Sequence, residues 1–192
     1  MRLCVYCGSS PGRAAHFREA ASAFGTRLAE AQIELVFGGG HIGLMGILAD
    51  AVLAAGGAAI GVIPQALVDR ELAHGGLTQL HIVASMHERK ALMAELSDGF
   101  VALPGGAGTL DEMFEQWTWA QLGIHAKPCG FLNIAGYFDP LQMMVEKMVA
   151  EGFLRGEDAA ITRFDADAGA LLGWVAERAQ AGARLIAGAP AP

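Results

Sequence analysis

The alternation of short apolar runs with longer amphipathic segments limits the folds open to this chain more than any other feature of its sequence. The short runs are rich in Val, Ile and Leu, which is typical of strands, and the longer segments have the apolar spacing of helices that pack on one face. Because the runs are apolar at successive positions, they predict parallel strands that are buried on both faces of a sheet. The strand candidates are residues 3–7, 33–37, 58–63, 80–84, 99–103, 129–133 and 159–164, and the helix candidates are residues 14–31, 43–56, 86–97, 109–122, 138–151 and 166–180.

This order of elements favours an α/β fold with a single Rossmann-like, doubly wound parallel sheet and helices on both faces. In such a fold, ligands bind at the carboxyl ends of the strands. Of the 192 residues, 53% are hydrophobic and 17% charged, so the chain can bury one core and gives no reason for a second domain. We expect one domain over residues 1–182 and a flexible C-terminal tail over residues 183–192. Residues 64–79 form a longer connection that interrupts the alternation.

The charge balance and the apolar pattern argue against two classes of partner. The chain carries 13 Lys and Arg against 20 Asp and Glu, a net charge of -7, and no basic run is dense enough to follow a nucleic acid backbone. The apolar stretch 42–63 contains Asp50 and several glycines, so it predicts a helix and a strand and not a membrane span. With no signal-peptide pattern and an odd number of cysteines, the sequence favours a cytoplasmic protein without a nucleic acid or membrane partner.

Three strand candidates end in glycine-rich turns, "CGSSPG", "GGGHIGLMG" and "PGGAGT". Glycines let backbone N–H groups approach a ligand, and each turn leads to a helix N-terminus, where an anion is favoured. The three turns together predict a phosphate site. Gly38, Gly40 and Gly43 spell G-x-G-x-x-G, but this motif follows the second strand, and the next strand ends without an acidic residue, which argues against a dinucleotide. The sequence also lacks the Gly-Lys-Ser/Thr of a P-loop.

Two further stretches place charged residues at predicted helix starts. In "TLDE", Thr109 and Glu112 fit a capping box with Thr109 as N-cap and Glu112 at N3, so this loop either caps a helix or also holds an anion. Residues 85–88 fit a second capping box, yet Arg89 and Lys90 follow, where the helix dipole disfavours cations by about 0.3 to 1 kcal/mol. If the fourth and fifth strands are neighbours, Arg89 and Glu112 face one crevice.

The sequence pattern favours structural roles for the remaining reactive and aromatic side chains. Cys4 and Cys7 have C-x-x-C spacing, but no second pair follows, so burial on the first strand explains them better than zinc or redox chemistry. The histidines lack the spacing of metal ligands on one helix, and we predict no metal site. Trp117 and Trp119 are typical of a core or a dimer interface.

Several of these stretches also carry a resemblance to a known family. "PGGAGTLDE" and "MHERK" resemble the P-G-G-x-G-T-x-x-E and R-K motifs of the LOG (Lonely Guy) family, and "CVYCGSSPG", "LVFGGGHIGLMG" and "GVIPQAL" are similar to family stretches in the same order. The resemblance covers nearly the whole chain. It implies a Rossmann-like fold, a homodimer, and hydrolysis of the N-glycosidic bond of a nucleoside 5'-monophosphate to free base and ribose 5-phosphate. It implies no cofactor and no metal.

By motif position, the resemblance implies that Arg89 and Glu112 are catalytic. Glu71, in "DRELAH", stands where the family has a substrate-contacting Glu, but the stretch after it departs from the family pattern, which leaves base recognition less defined than the chemistry. The substrate-binding residues that the resemblance implies are Glu71, Lys90, Gly105, Gly106, Ala107, Gly108, Thr109, Leu110, Asp111 and Thr118.

Departure of the base leaves an oxocarbenium-like ribosyl cation, which a carboxylate near the anomeric carbon stabilises while it orients water. Glu112 is the candidate for that role, and Arg89 would hold the substrate and act on the leaving side. A second function remains open, that of a non-catalytic nucleotide or phosphate-ligand carrier similar to molybdenum-cofactor carrier proteins. The coexistence of Arg89 with Glu112 favours the hydrolase, because binding alone does not need both. The sequence leaves the preferred base open between cytokinin-type bases and adenine.

Overall fold

The computed structural model describes residues 1–70 and 72–187, with side chains described as far as residue 182. Seven strands form one parallel sheet in the order β4-β3-β2-β1-β5-β6-β7. The predicted fold class is therefore confirmed, and each predicted strand is present within a few residues of its expected bounds. The strands are β1 (Arg2–Tyr6), β2 (Glu34–Phe37), β3 (Ala59–Pro64), β4 (Gln79–Val83), β5 (Gly99–Ala102), β6 (Cys129–Leu132) and β7 (Thr162–Asp165).

All six predicted helices are present, together with two short helices that the sequence pattern did not predict. The helices are α1 (Ala15–Glu30), α2 (Gly43–Ala54), α3 (Gln65–Val68), α4 (Met86–Glu95), α5 (Ala107–Gln121), α6 (Asp139–Ala150), α7 (Gly156–Ala159) and α8 (Ala168–Ala187), with a 3-10 turn at Ile134–Gly136. α7 ends at Ala159, the first residue of the run 159–164 that was predicted as a strand, and β7 begins only at Thr162. α8 continues past the predicted domain end at residue 182, and residues 188–192 lie outside the described part of the chain.

Helices cover both faces of the sheet, as the continuous apolar strands require. α1, α2 and α8 pack on one face and contribute Phe24, Leu48 and Val175 to its core. α4, α5 and α6 pack on the other face, where Met93 and Trp117 are buried. The predicted core position of Trp117 is thus confirmed, and its indole Nε1 donates to the carbonyl of residue 158 at 2.9 Å.

The strand order determines which loops meet at the carboxyl edge of the sheet. The first four strands run outward from β1 to the edge strand β4, and β5 then pairs with the other side of β1. The fourth and fifth strands are therefore not neighbours, and the condition under which Arg89 and Glu112 were placed at one crevice is not met. The order reverses between β1 and β5, and in open α/β sheets the crevice at such a reversal is where ligands bind.

Candidate active site

The three glycine-rich turns meet at one place because β2, β1 and β5 are consecutive in the sheet. The amide of Gly8, after β1, donates to the carbonyl of Pro104, after β5, at 3.1 Å, and the amide of Leu44 at the start of α2 donates to the Gly8 carbonyl at 2.9 Å. Gly43 has a φ of +62°, and a Cβ built there would collide with the backbone of Ser9. The predicted convergence of the three turns is confirmed.

The start of α5 differs from the sequence expectation. The N-cap is Gly106, in an extended conformation and without a side-chain cap, and the helix begins at Ala107. Thr109 is therefore at N3 and Glu112 at N6, so the capping box assigned to these two residues is wrong. The reason is packing: Thr109 is buried, and a Cβ on Gly105 would collide with its Oγ1. The first turn of α5 thus keeps backbone N–H groups that no side chain caps, which suits an anion.

The start of α4 agrees with its predicted capping box. The Ser85 side chain accepts a hydrogen bond from the Glu88 amide at 3.1 Å, and the Glu88 carboxylate accepts one at 3.0 Å from the amide of Ala84, one residue before the N-cap. This cap fixes the first turn of α4, from which Arg89 extends toward the sheet.

Arg89 is buried below the carboxyl ends of two strands. Its Nε donates to the carbonyl of Val62 on β3 at 3.1 Å, and its Nη2 donates to the carbonyl of Gly38 after β2 at 3.2 Å. A Cβ on Gly38 would collide with Nη2, so this glycine makes room for the guanidinium. The remaining Nη1 lies 3.2 Å from the sulfur of Met86 and 3.7 Å from Oε1 of Glu112.

Arg89 and Glu112 therefore meet although their strands are not neighbours. α4 packs on β3 and β4 at one side of the sheet, and the long Arg89 side chain spans the distance from there toward α5. Both side chains are largely buried, at 10% and 15% exposed. Burial raises the pKa of Glu112, while the positive charge of Arg89 opposes that shift. The pair is a desolvated carboxylate next to a fixed cation, an arrangement in which electrostatic effects on a reaction are large.

Lys90 lies between two carboxylates of α5. Its Nζ is 3.2 Å from Oδ2 of Asp111 and 3.2 Å from Oε1 of Glu115. Burial disfavours the charged form of Lys90, but its hydrogen bonds and charge interactions with Asp111 and Glu115 raise its pKa. Sequence reasoning missed Glu115, although its i+4 spacing from Asp111 places both on one helix face. Its second carboxylate oxygen is buried and has no hydrogen-bond partner among the described residues.

The other residues implied by the family resemblance fall into two groups. Gly105 and the stretch 106–111 form the turn after β5 and the first turns of α5. Thr118 lies farther along α5, about 14 Å of helical rise from Thr109, and its hydroxyl donates to the carbonyl of Phe114 at 2.7 Å. The structure does not bring it to the glycine turns. Glu71 lies outside the described residues.

The connection 64–79 returns over the glycine turn that follows β2. The amide of His41 donates to the carbonyl of Leu72 at 3.0 Å, and the amide of His74 donates to the carbonyl of Gly39 at 2.8 Å. The sequence pattern identified this connection as unusually long but gave no indication of where it lies.

Two cavities of the described structure help to locate the site. A cavity of about 310 Å³ lies between the turn after β1 and the start of α5, and Tyr137, which sequence reasoning missed, forms part of its wall. A larger cavity of about 610 Å³, at the amino end of β6, is lined by residues such as His125, Lys127 and Trp174 and by none of the predicted site residues. We place the candidate site at the smaller cavity, whose wall includes Gly105 and Gly106, and at the Arg89–Glu112 pair.

The described residues contain no group of three or more His, Cys, Asp or Glu side chains arranged to hold a metal ion. Cys4, Cys7 and Cys129 are buried free thiols, and burial raises the pKa of each above its ordinary value. Thiols held in the neutral form are poor nucleophiles and poor metal ligands. None of the helices in the described part of the chain combines the length and the hydropathy that crossing a bilayer requires.

Comparisons with solved structures agree with the observed topology. The molybdenum cofactor binding protein from Rippkaea orientalis superposes with a TM-score of 0.69 at 15% identity, over 92% of this chain and 95% of that one. The molybdenum cofactor carrier protein from Chlamydomonas reinhardtii gives a TM-score of 0.66 at 20% identity, over 94% and 98%. At such identities the likeness shows a shared fold and nothing about function.

Comparisons of sequence are more specific. The chain is 51% identical over 156 residues to the probable cytokinin riboside 5'-monophosphate phosphoribohydrolase LOGL1 of Oryza sativa subsp. japonica, which is 81% of this chain and 70% of that protein. It is 51% identical over 158 residues to the phosphoribohydrolase LOG of the same plant, covering 82% of this chain but 65% of that protein, so it spans about two thirds of these relatives. The cytokinin riboside 5'-monophosphate phosphoribohydrolase of Rhodococcoides fascians is 50% identical over 153 residues, covering 79% and 77%.

A family model described as "Possible lysine decarboxylase" matches residues 45–173, more than half of the chain. This range contains most of α2, the cap of α4 and the whole of the turn and helix that carry Glu112. Taken with relatives at half identity over four fifths of its length, the match shows that the chain belongs to the LOG family.

Proposed function

We propose that the protein hydrolyses the N-glycosidic bond of nucleoside 5'-monophosphates and releases the free base and ribose 5-phosphate. Cytokinin riboside 5'-monophosphates are the first substrates to consider, because the relatives are named as phosphoribohydrolases of these compounds. AMP is the second. The observation that carries the proposal is the buried Arg89–Glu112 pair, 3.7 Å apart, beside the point where three glycine-rich turns meet.

The 5'-phosphate binds at the start of α5. The backbone N–H groups of residues 106–109 are not capped by a side chain, and the positive end of the helix dipole adds to their attraction for an anion. Phosphate binding holds the ribose in a fixed orientation, so part of the entropic barrier is already overcome when the reaction begins.

The reaction breaks the bond between the anomeric carbon and the base nitrogen. The base leaves with the bonding electron pair and takes up a proton from solvent, while the oxygen of a water molecule adds to the anomeric carbon and that water gives up a proton, which returns to solvent through Glu112. Glu112, as a carboxylate, stabilises the ribosyl cation and accepts the proton of the attacking water. Arg89 holds this carboxylate in place, and its Nη1 is the nitrogen directed toward the substrate, since Nε and Nη2 are engaged by backbone carbonyls.

The other substrate contacts are proposed from motif position. Lys90 contributes positive charge that its two carboxylate partners keep fixed beside the site. The further residues proposed to contact substrate are Glu71, Gly105, Gly106, Ala107, Gly108, Thr109, Leu110, Asp111 and Thr118.

We also propose a cytoplasmic homodimer that needs no cofactor or metal and binds neither nucleic acid nor membrane. The net charge of -7 argues against a polyanionic partner. Exposed apolar side chains on α6 and just after it, among them Met143 at 68% and Phe153 at 89%, are available for contact with a second copy. Sedimentation equilibrium measures the oligomeric state directly.

The test of the activity is product release. The protein is incubated with N6-isopentenyladenosine 5'-monophosphate, with AMP and with the two matching nucleosides, and the free base is measured by chromatography. We expect base from a monophosphate and a rate lower by about 100-fold or more from its nucleoside, because the nucleoside lacks the group that fixes its orientation. Equal rates with and without the phosphate would contradict the phosphate site. Tight binding without any base would favour the carrier function.

A further inference from the structure

One wall of the smaller cavity is not predicted by any sequence motif. The cavity is bounded by the turn after β1, by the start of α5 and, at this wall, by the aromatic pair Phe17 and Tyr137, which come from two distant parts of the chain. The lining residues are Gly8, Ser9, Ser10, Gly12, Phe17, Leu44, Pro104, Gly105, Gly106 and Tyr137. Of these, Tyr137 is the side chain that reaches the glycine turn in front of α5 from outside the turns themselves.

Tyr137 makes a direct hydrogen bond to that turn. Its hydroxyl donates to the carbonyl oxygen of Gly105 at 2.6 Å. Gly105 is confined on its other sides, because a Cβ there would collide with Oγ1 of Thr109 and would lie 2.9 Å from the amide of Gly8. The tyrosine hydroxyl therefore bonds to a backbone position that has little freedom to move away.

The geometry of the peptide bond gives this contact a consequence for ligand binding. The carbonyl of Gly105 and the amide of Gly106 belong to one planar peptide, and in a trans peptide the C=O and N–H bonds point in opposite directions. A hydrogen bond that fixes the Gly105 carbonyl thus also fixes the direction of the Gly106 N–H. Gly106 is the N-cap of α5, so its N–H is among the donors offered to the anion.

The loop after β6 holds Tyr137 in this place. The Asn133 side chain accepts a hydrogen bond from the Phe138 amide at 2.7 Å and donates one to the Asp139 carboxylate at 2.6 Å. Between these anchors, Ala135 and Gly136 adopt left-handed conformations with φ of +52° and +73°. A non-glycine residue in that conformation persists only where its surroundings enforce it, so the loop is built to one shape.

Aromatic packing completes the support. The Tyr137 ring lies edge-on against Phe17 of α1, with centroids 5.8 Å apart and planes at 83°, and against Phe138 at 5.0 Å and 85°. These are the favoured geometries of aromatic pairs. The ring is held independently of its hydroxyl, and removal of the hydroxyl alone therefore tests the hydrogen bond alone.

We propose that Tyr137 is a positioning residue for the 5'-phosphate: by holding the Gly105 carbonyl, it directs the Gly106 N–H into the cavity where the phosphate binds. This inference rests on the proposed function for the identity of the ligand. Tyr137 acts on binding of the phosphate group and not on the breaking of the glycosidic bond, because the Arg89–Glu112 pair carries the chemistry.

The test is the variant Tyr137→Phe, which keeps the ring and its packing. We expect KM for the nucleoside monophosphate to rise by about 3- to 10-fold, the loss of one neutral hydrogen bond, with kcat within about 2-fold of the wild type. The dissociation constant of ribose 5-phosphate, measured by calorimetry, should rise by the same factor, whereas turnover of the nucleoside should not change. Thr162→Val is the matched control, since it removes a hydroxyl that donates to a backbone carbonyl at 2.8 Å on β7, away from the cavity.

Calorimetry also separates this inference from the proposed function. If the wild type binds ribose 5-phosphate but releases no base, the hydrolase function fails, while weaker binding by Tyr137→Phe still supports the positioning role. Unchanged affinity for ribose 5-phosphate in a folded Tyr137→Phe protein overturns the inference. So does a fall in kcat at constant KM, which would mean that the hydroxyl acts on the chemical step. Measurement well below the melting temperature keeps the binding result valid if the variant is less stable.

Discussion

Glu112 is a carboxylate in an environment that is nearly free of water, although burial disfavours a charge. Its side chain is 15% exposed, and the nearest cation is the guanidinium of Arg89, whose other nitrogens are bound to carbonyls. A charge of this kind needs no rearrangement of water when a positive transition state forms nearby. The position of Arg89 also explains why a cation occurs in the first turns of α4, where the helix dipole disfavours it. Its guanidinium donates to the backbone carbonyls of Val62 and Gly38.

Replacement of Glu112 by Gln separates charge from shape. Glu112 is at N6 of α5 and has no capping role, so Gln should fit without loss of the helix start. We expect a folded protein whose kcat is lower by about 100-fold or more, the range for loss of one preorganised electrostatic group. Glu146→Gln, the same change on the exposed surface of α6, is the control and should keep the wild-type rate. A Glu112→Gln protein with near-normal kcat would remove Glu112 from the mechanism.

The pH profile gives a second measurement on the same variant. Burial raises the pKa of Glu112 despite the nearby Arg89 charge, and the proposed mechanism needs the carboxylate. Activity of the wild type should therefore fall as pH falls through this raised pKa, at a higher pH than an ordinary glutamate would give, and this acid limb should be absent from the residual activity of Glu112→Gln.

At the scale of elements, the turn after β2 and the helix α4 depend on each other because Gly38 has no side chain and Arg89 occupies the space beside it. The guanidinium of Arg89 occupies the space where a Cβ of residue 38 would lie, and that Cβ would be 3.0 Å from Cζ. A substitution in the turn thus displaces a side chain of the helix.

We expect Gly38→Ala to lower kcat by about 10-fold or more, because Arg89 must give up its bond to the residue 38 carbonyl and shift relative to Glu112. Gly173→Ala on α8, where the added methyl group would meet no atom within 4 Å, is the control and should keep full activity with equal or higher stability. Steady-state kinetics and thermal melting measure the two effects, and normal kcat in Gly38→Ala would contradict the coupling.

Much of the element pattern could be predicted from the sequence, and the errors have physical causes. The strands were predictable because burial on both faces leaves continuous apolar runs, and Ser85 was predictable because a serine cap uses only local hydrogen bonds. The start of α5 was not, because Thr109 prefers to pack beneath Gly105, and a tertiary contact of this kind leaves no local pattern. The meeting of Arg89 with Glu112 was expected for a wrong reason, since the order of strands depends on pairings that periodicity does not encode. Tyr137 left no signal at all, because it reaches the site through a loop of irregular backbone.

At the scale of the whole molecule, stability should depend on a histidine at the opposite end of the sheet from the site. His125 Nε2 lies 3.3 Å from Oε1 of Gln116, and its Nδ1 accepts from the Lys127 amide at 3.2 Å. Burial, with the nearby Lys127 charge, lowers the pKa of His125 to about 4. Below pH 6.5, the ordinary pKa of histidine, the unfolded chain binds a proton at His125 that the folded chain does not bind. The stability that the buried, neutral His125 contributes is therefore present above pH 6.5 and is lost as pH falls toward about 4.

His125→Gln should therefore weaken the pH dependence of folding. Between about pH 7 and about pH 5, we expect the free energy of unfolding of the wild type to fall by about 1 to 2 kcal/mol more than that of the variant. Denaturation by urea at the two pH values measures the difference. Parallel losses in both proteins would show that His125 does not titrate in this way.

The central position of β1 also has a consequence for synthesis of the chain. β1 leaves the ribosome before both of its neighbours, one of them, β5, follows almost a hundred residues later, and the cavity proposed for the phosphate needs both. Until then β1 presents an unpaired apolar edge, the kind of surface on which nascent chains aggregate. Binding of the proposed ligand cannot stabilise this stage, because the proposed site is completed by the same pairing that covers the edge. Pairing of β1 with β5 is therefore the folding step that both covers this edge and completes the cavity between the two turns.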